Sequence, residues 1–100
     1  MLSLEHELPV SSNRTRLEIL ASMLKVAHNG SLKTHIMYKA NLSHRQLEKY
    51  LTFLMSNELL EKVSDLEHIS GQYRVTEKGT EFLKDYSSLY AHLKTSLVNP

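Results

Sequence analysis

Ser43, His44, Arg45, Glu48, Lys49 and Thr52 are the residues of this chain whose types and spacing suit a shared chemistry. If the stretch is helical, His44, Arg45, Glu48, Lys49 and Thr52 lie on one face. An arginine fork matches the guanine edge, histidine reaches a base edge or a phosphate, a carboxylate accepts from a base amino group, and lysine neutralises phosphate. Lys33, Thr34, His35 and Lys39 lie just upstream and suit contacts to a phosphate backbone, which position without reading sequence. Catalytic chemistry is poorly represented. The chain has no cysteine, so disulfides, thiolate zinc sites and cysteine nucleophiles are excluded. His6, His28, His35, His44, His68 and His92 form no pair at three- or four-residue spacing, and no zinc motif or other metal site is read. Gly30, Gly71 and Gly79 are isolated, so no phosphate-cradling loop exists, and no nucleophile-elbow pattern occurs. No cofactor is implied, and the chain is not expected to be an enzyme. A solvated helical face would be equally polar, so the elements carrying these side chains must decide between the two readings.

Those elements form a tight unit. Lys33 to Ala40 predicts a short helix with Ile36, Met37 and Ala40 on one side, and Asn41-Leu42-Ser43 predicts a turn. Ser43 begins a second helix, residues 43–56, and Gln46 completes a capping box. Leu47, Tyr50, Leu51, Leu54 and Met55 make its buried face. A short helix, a turn and an amphipathic helix with a polar outward face describe a helix-turn-helix, whose second helix enters a major groove. Tyr38 and Tyr50 flank the turn and are expected at the core rim.

The remaining chain supports this unit. Residues 1–12, with Pro9, Ser11 and Ser12, read as a flexible N-terminal arm. A helix is expected from Arg14 to His28, capped by Ser12 or Asn13 and stopped by Asn29-Gly30. Its core stripe is Leu17, Leu20, Leu24 and Ala27, widened by Ala21 and Met23. Ser31-Leu32 suits a minimal strand. Leu59 to Asp65 and Gln72 to Thr76 alternate as strands of a hairpin, with residues 66–71 as its tip. Thr76 then caps a last helix from Glu77 to about Ser96, with Glu77 favourably placed against the helix dipole.

That last helix would be about 30 Å long, more than the core needs. Tyr86, Leu89, Tyr90, Leu93 and Leu97 therefore form an apolar stripe with no obvious partner in their own chain; a second copy packed as a coiled coil is the expected partner, the alternative being a fold back onto the first helix. The architecture is mainly α with a small β-hairpin: a winged helix-turn-helix over residues 13–79 and a dimerisation helix over residues 77–97. Its single core is expected from Leu17, Leu20, Leu24, Ile36, Met37, Leu47, Leu51, Leu54, Leu59, Leu60, Val63, Tyr73, Val75, Phe82 and Leu83.

The 100 residues suit one domain, and the 41% hydrophobic and 23% charged content is that of a globular protein. No apolar run is long enough to span a bilayer, and the acidic N-terminus makes a poor signal peptide, so a cytoplasmic protein is expected, nucleoid-associated if it binds DNA. Net charge is only +1. Its distribution is more informative. Residues 1–50 hold seven basic side chains against Glu5, Glu7, Glu18 and Glu48, whereas residues 51–100 hold five against seven acidic ones. Positive charge is gathered around the reading helix, as a phosphate-facing surface requires.

The stretches KTHIMYKANLSHRQLEKYLTFLMSNELLE and YRVTEKGTEFL resemble the archaeal winged helix-turn-helix DNA-binding proteins, in particular small dimeric members that are chromatin-associated or transcriptional-regulator-like. The likeness covers roughly Arg16 to Leu89. It rests on K-T-x-I-M-Y-x-A-N-L-S at the helix-turn-helix and on Y-x-x-T-x-K-G at Tyr73, Thr76, Lys78 and Gly79. It implies a homodimer held by C-terminal helices, antiparallel in arrangement, presenting one winged helix per subunit to double-stranded DNA, with no enzymatic activity. One departure stands out. The wing tip carries Asp65, Glu67 and His68 where a DNA-contacting wing has lysine or arginine. Carboxylates are repelled by phosphates, so either the wing stays off the backbone or His68 and Arg74 make the contact.

The function read from the sequence is thus a dimeric duplex-DNA-binding protein, a transcriptional regulator or nucleoid-associated protein, with no small-molecule ligand evident. The alternative is a winged helix used as a protein-interaction module without DNA binding, which the low net charge and acidic wing favour.

Overall fold

The computed structural model describes residues 14–63 and 71–98. The elements run α1 (Arg16–Val26), β1 (Ser31–Leu32), α2 (Lys33–Lys39), α3 (His44–Ser56), β2 (Leu60–Val63), β3 (Gln72–Val75) and α4 (Glu77–Val98). The strands form one antiparallel sheet in the order β1-β3-β2, with Ser31 opposite Tyr73 and Leu60 opposite Val75. The fold is a winged helix-turn-helix with a long C-terminal helix, mainly α with a small sheet. The expected arm over residues 1–12 and the wing tip with Asp65, Glu67 and His68 lie outside the described residues.

Helix α1 begins two residues later than expected. Its cap is Thr15 rather than Ser12 or Asn13, because Thr15 and Glu18 satisfy each other reciprocally. Thr15 Oγ1 accepts from the Glu18 amide at 3.1 Å, and the Glu18 carboxylate accepts from the Thr15 amide at 2.8 Å. The helix also stops early, at Ala27, and the left-handed residue that turns the chain is Gly30 at φ +99°.

The core stripe of α1 is broader than expected. Ile19, Leu20, Ala21, Met23, Leu24 and Ala27 are buried, while Leu17 is only half-buried. The helix is central, touching α2 on one side and α4 on another. A helix covered on several sides needs apolar residues beyond a single stripe, which is why Ile19 is enclosed. Ile36, Ala40, Leu42, Leu47, Tyr50, Leu51, Leu54, Leu59, Leu60, Tyr73 and Val75 complete the core, with Val26, Met37, Phe53, Phe82 and Leu83 packed against it. Val63, expected inside, is half-buried near the end of its strand. Met55, expected on the buried face of α3, is 38% exposed. It lies seven residues beyond Glu48, two helical turns on, and so falls towards the polar face.

The start of α4 is locked to the turn between α3 and β2. Thr76 Oγ1 accepts from the Gly79 amide at 2.9 Å and donates to the Glu58 carbonyl at 2.6 Å, while the Thr76 amide donates to the Leu59 carbonyl at 3.2 Å. Gly79 lies so close to Leu59 that the absence of a side chain is a packing requirement.

Candidate nucleic-acid interface

Helix α3 is built for exposure on one side. Its N-terminus carries the expected capping box: Ser43 Oγ accepts from the Gln46 amide at 3.1 Å, and Gln46 Oε1 accepts from the Ser43 amide at 2.9 Å. Leu47, Tyr50, Leu51 and Leu54 bury the opposite face. Ser43, His44, Arg45, Lys49 and Thr52 are all exposed. The polar face therefore projects from a helix whose other face is fixed in the core. Thr52 turns its hydroxyl back to the Glu48 carbonyl at 2.9 Å.

Two of the sequence-selected charges meet each other. The Lys33 ammonium donates to the Glu48 carboxylate, joining the start of α2 to the middle of α3. His44 Nε2 lies 3.7 Å from the same carboxylate. The hydrogen bond from Lys33 is the chief reason the Glu48 carboxyl titrates below its ordinary 4.5, with the charges of Lys33 and His44 adding to it. The same bond raises Lys33 above 10.5. Because the folded value of Glu48 is depressed, the pair contributes fully above about pH 4.5 and is lost as pH falls through the folded value. A side-chain carboxyl NMR titration is expected to show a Glu48 midpoint below 4.5 that returns towards 4.5 in Lys33→Met. An unshifted wild-type midpoint would mean that the pair does not persist in solution.

With Glu48 matched by Lys33, Arg45, Lys49 and Lys39 have no ion-pair partner among the described residues. Thr34, His35 and Lys39 lie exposed on α2, next to α3 in sequence. Arg74 is exposed on β3 and engages Glu61, its cross-strand partner, at 3.7 Å. The set is thus not one uniform patch: α2 and α3 share the surface around the turn, while Arg74 belongs to the wing.

Two features of this region were not expected from the sequence. Tyr38 is 82% exposed on α2, whereas Tyr50 is fully enclosed in the core, so neither is a rim residue. Burial pushes the Tyr50 phenol up, opposed by the charges of Arg16 and Arg14. Arg14 itself, expected merely to begin α1, reaches the helix-turn-helix turn. Among the described residues no group of three or more His, Cys, Asp or Glu is placed to hold a metal ion, and no helix is long and apolar enough to cross a membrane.

A family model described as winged helix-turn-helix matches residues 13–94. The chain belongs to the winged helix-turn-helix family. Archaeal relatives exist: this winged helix-turn-helix chain is 34% identical over 91 residues to an uncharacterized protein of Methanocaldococcus jannaschii, covering 82% of the chain and 84% of the relative. Among solved structures it is similar to Sso10a-2, a DNA-binding protein from Sulfolobus solfataricus, with a TM-score of 0.62 and 24% identity over 87% of this chain and 98% of that one. It is also similar to Staphylococcus aureus MepR in a DNA complex, with a TM-score of 0.65 and 15% identity, covering 86% of this chain and 63% of MepR. At these identities the structural likeness shows the fold alone.

Proposed function

We propose that this chain binds double-stranded DNA as a homodimer, with α3 of each copy in a major groove and α4 joining the copies. The observation that carries this reading is the state of α3: held by a capping box, anchored by four buried side chains, and exposing Arg45 and Lys49 without ion-pair partners among the described residues. His44, Arg45 and Glu48 would meet base edges, Arg45 as a bidentate donor to guanine and Glu48 as an acceptor from cytosine. Lys49 would meet a phosphate, and Ser43 and Thr52 flank these contacts. Because Lys33 is committed to Glu48, positioning on the backbone would fall to Thr34, His35 and Lys39. Arg74 would supply a contact from the wing.

The dimer reading rests on the far half of α4. Leu89, Tyr90 and Leu93 are 53%, 47% and 53% exposed and recur along one side of the helix, next to Tyr86. The Tyr86 and Tyr90 rings stack at 5.9 Å. The side chain of Leu97 lies outside the described residues. A second copy supplies the missing half of such a seam. Leu89→Glu with Leu93→Glu is expected to convert the dimer to a folded monomer, measured by light scattering. A dimer that survives both charges would place the interface elsewhere.

The experiment that tests the function is duplex binding against salt, with mass measured on the same sample. Each neutralised phosphate contributes about −0.9 to the slope of log affinity against log salt. A dimer with a slope of several units supports the reading and directs attention to sequence preference, and hence to a regulatory or a nucleoid-associated role. A dimer without affinity at low salt would overturn it in favour of a protein-interaction module.

A further inference from the structure

Arg14 lies outside α1, yet it is joined to the centre of the helix-turn-helix. Its Nη1 donates to the Ala40 carbonyl at 2.8 Å and its Nη2 to the Asn41 carbonyl at 3.0 Å, spanning 26 and 27 residues of sequence. These carbonyls belong to the end of α2 and to the turn residue that follows, in the negative end of the helix dipole, where a cation is favoured. Asn41 is in the left-handed region at φ +56°, and two residues later Ser43 caps α3. A fork gripping two successive carbonyls fixes the orientation of the peptide planes between them. Leu42, the residue between Asn41 and Ser43, is itself buried.

From this we infer that Arg14 is a positioning residue for DNA recognition: it clamps the α2–α3 turn and thereby sets the direction in which α3 presents Arg45 and Lys49. The inference rests on the duplex-binding reading above. It assigns Arg14 a role through the turn, without a phosphate contact of its own. The two roles leave different marks, because a phosphate contact adds to the salt slope and a positioning residue does not.

The test uses the full chain and a mixed-sequence DNA duplex, with Arg14→Lys and Arg14→Ala, well below the melting temperature of each variant. Lysine keeps the charge but cannot hold two carbonyls in a plane. Both variants are expected to bind about tenfold more weakly, with salt slopes equal to that of the wild type. Amide exchange at Leu42 and Ser43 is expected to accelerate in both. Wild-type affinity in Arg14→Ala would overturn the inference. So would wild-type binding by Arg14→Lys together with a slope reduced by about 0.9 in Arg14→Ala, which marks a direct phosphate contact. Failure of the wild type to bind any duplex would overturn the functional reading and this inference with it. The amide-exchange arm would still report whether the clamp itself exists.

Discussion

Replacing Arg45 and Lys49 together by alanine is expected to weaken duplex binding by about two to three orders of magnitude while leaving the melting temperature almost unchanged. The magnitude follows from the proposed roles. A bidentate arginine–guanine contact is worth about 1–3 kcal/mol of discrimination, and loss of a phosphate contact at Lys49 adds a salt-dependent share, lowering the slope by about 0.9. The small effect on stability follows from the structure. Both side chains are exposed and neither has an ion-pair partner among the described residues, so truncation leaves no buried charge and breaks no network. The single variants should separate. Arg45→Ala is expected to relax sequence preference with a nearly unchanged slope if Arg45 meets bases, and Lys49→Ala to weaken all duplexes alike. Unchanged binding by the double variant would show that α3 is not the reading helix.

Gly79→Ala is expected to destabilise the fold by about 3 kcal/mol, lowering Tm by about 10–20 °C. Helix propensity alone gives the opposite sign, because alanine in a helix is favoured over glycine by about 1 kcal/mol. Geometry decides the matter. A Cβ on Gly79 would stand 2.2 Å from the Leu59 carbonyl oxygen and 2.7 Å from Val75 Cγ1. The carbonyl cannot swing aside cheaply, since it accepts from the Thr76 amide, and the preceding carbonyl of Glu58 accepts from the Thr76 hydroxyl. The first turn of α4 would have to lift from the turn between α3 and β2, breaking the bonds of Thr76 to that turn. Thermal unfolding measures the effect. A Gly79→Ala variant as stable as the wild type, or more stable, would mean that α4 does not rest on Leu59. Because α4 carries the proposed dimer seam, the same variant is expected to weaken dimerisation.

The Lys33–Glu48 pair bears on the first of these results. Glu48 is the acidic residue in the middle of the polar face of α3, and unpaired it would repel phosphates beside Arg45 and Lys49. Lys33 removes that repulsion and steadies the carboxylate. Lys33 is thus paired with a carboxylate of α3, a contact between two of the selected residues that sequence spacing alone does not relate.

What was legible in the sequence is what is determined within a few residues. The capping box of Ser43 and Gln46, the buried face of α3, the Thr76 cap and the alternation of β3 all depend on contacts within one or two turns or across one hairpin, whereas β2 does not alternate, Leu59 and Leu60 being buried in succession. The order of these elements was then enough for the winged helix-turn-helix, including a minimal strand at Ser31-Leu32, which the structure pairs with β3. Tertiary structure decided the rest, because it brings together residues that local spacing cannot relate. The Thr15 cap of α1 is the exception, a local signal three residues long that Ser12 and Asn13 obscured. Ile19 is enclosed while Leu17 is half-buried because α1 is covered by more than one neighbour. Tyr50 and Tyr38, equally amphipathic in isolation, separate into core and surface because α3 turns one inward and α2 turns the other out. Gly79 must lack a side chain because Leu59 lies beneath it, and Arg14 grips a turn 26 residues away. Periodicity specifies which face of an element is apolar, whereas only the packing of whole elements specifies what that face meets and which polar groups are left to face a partner.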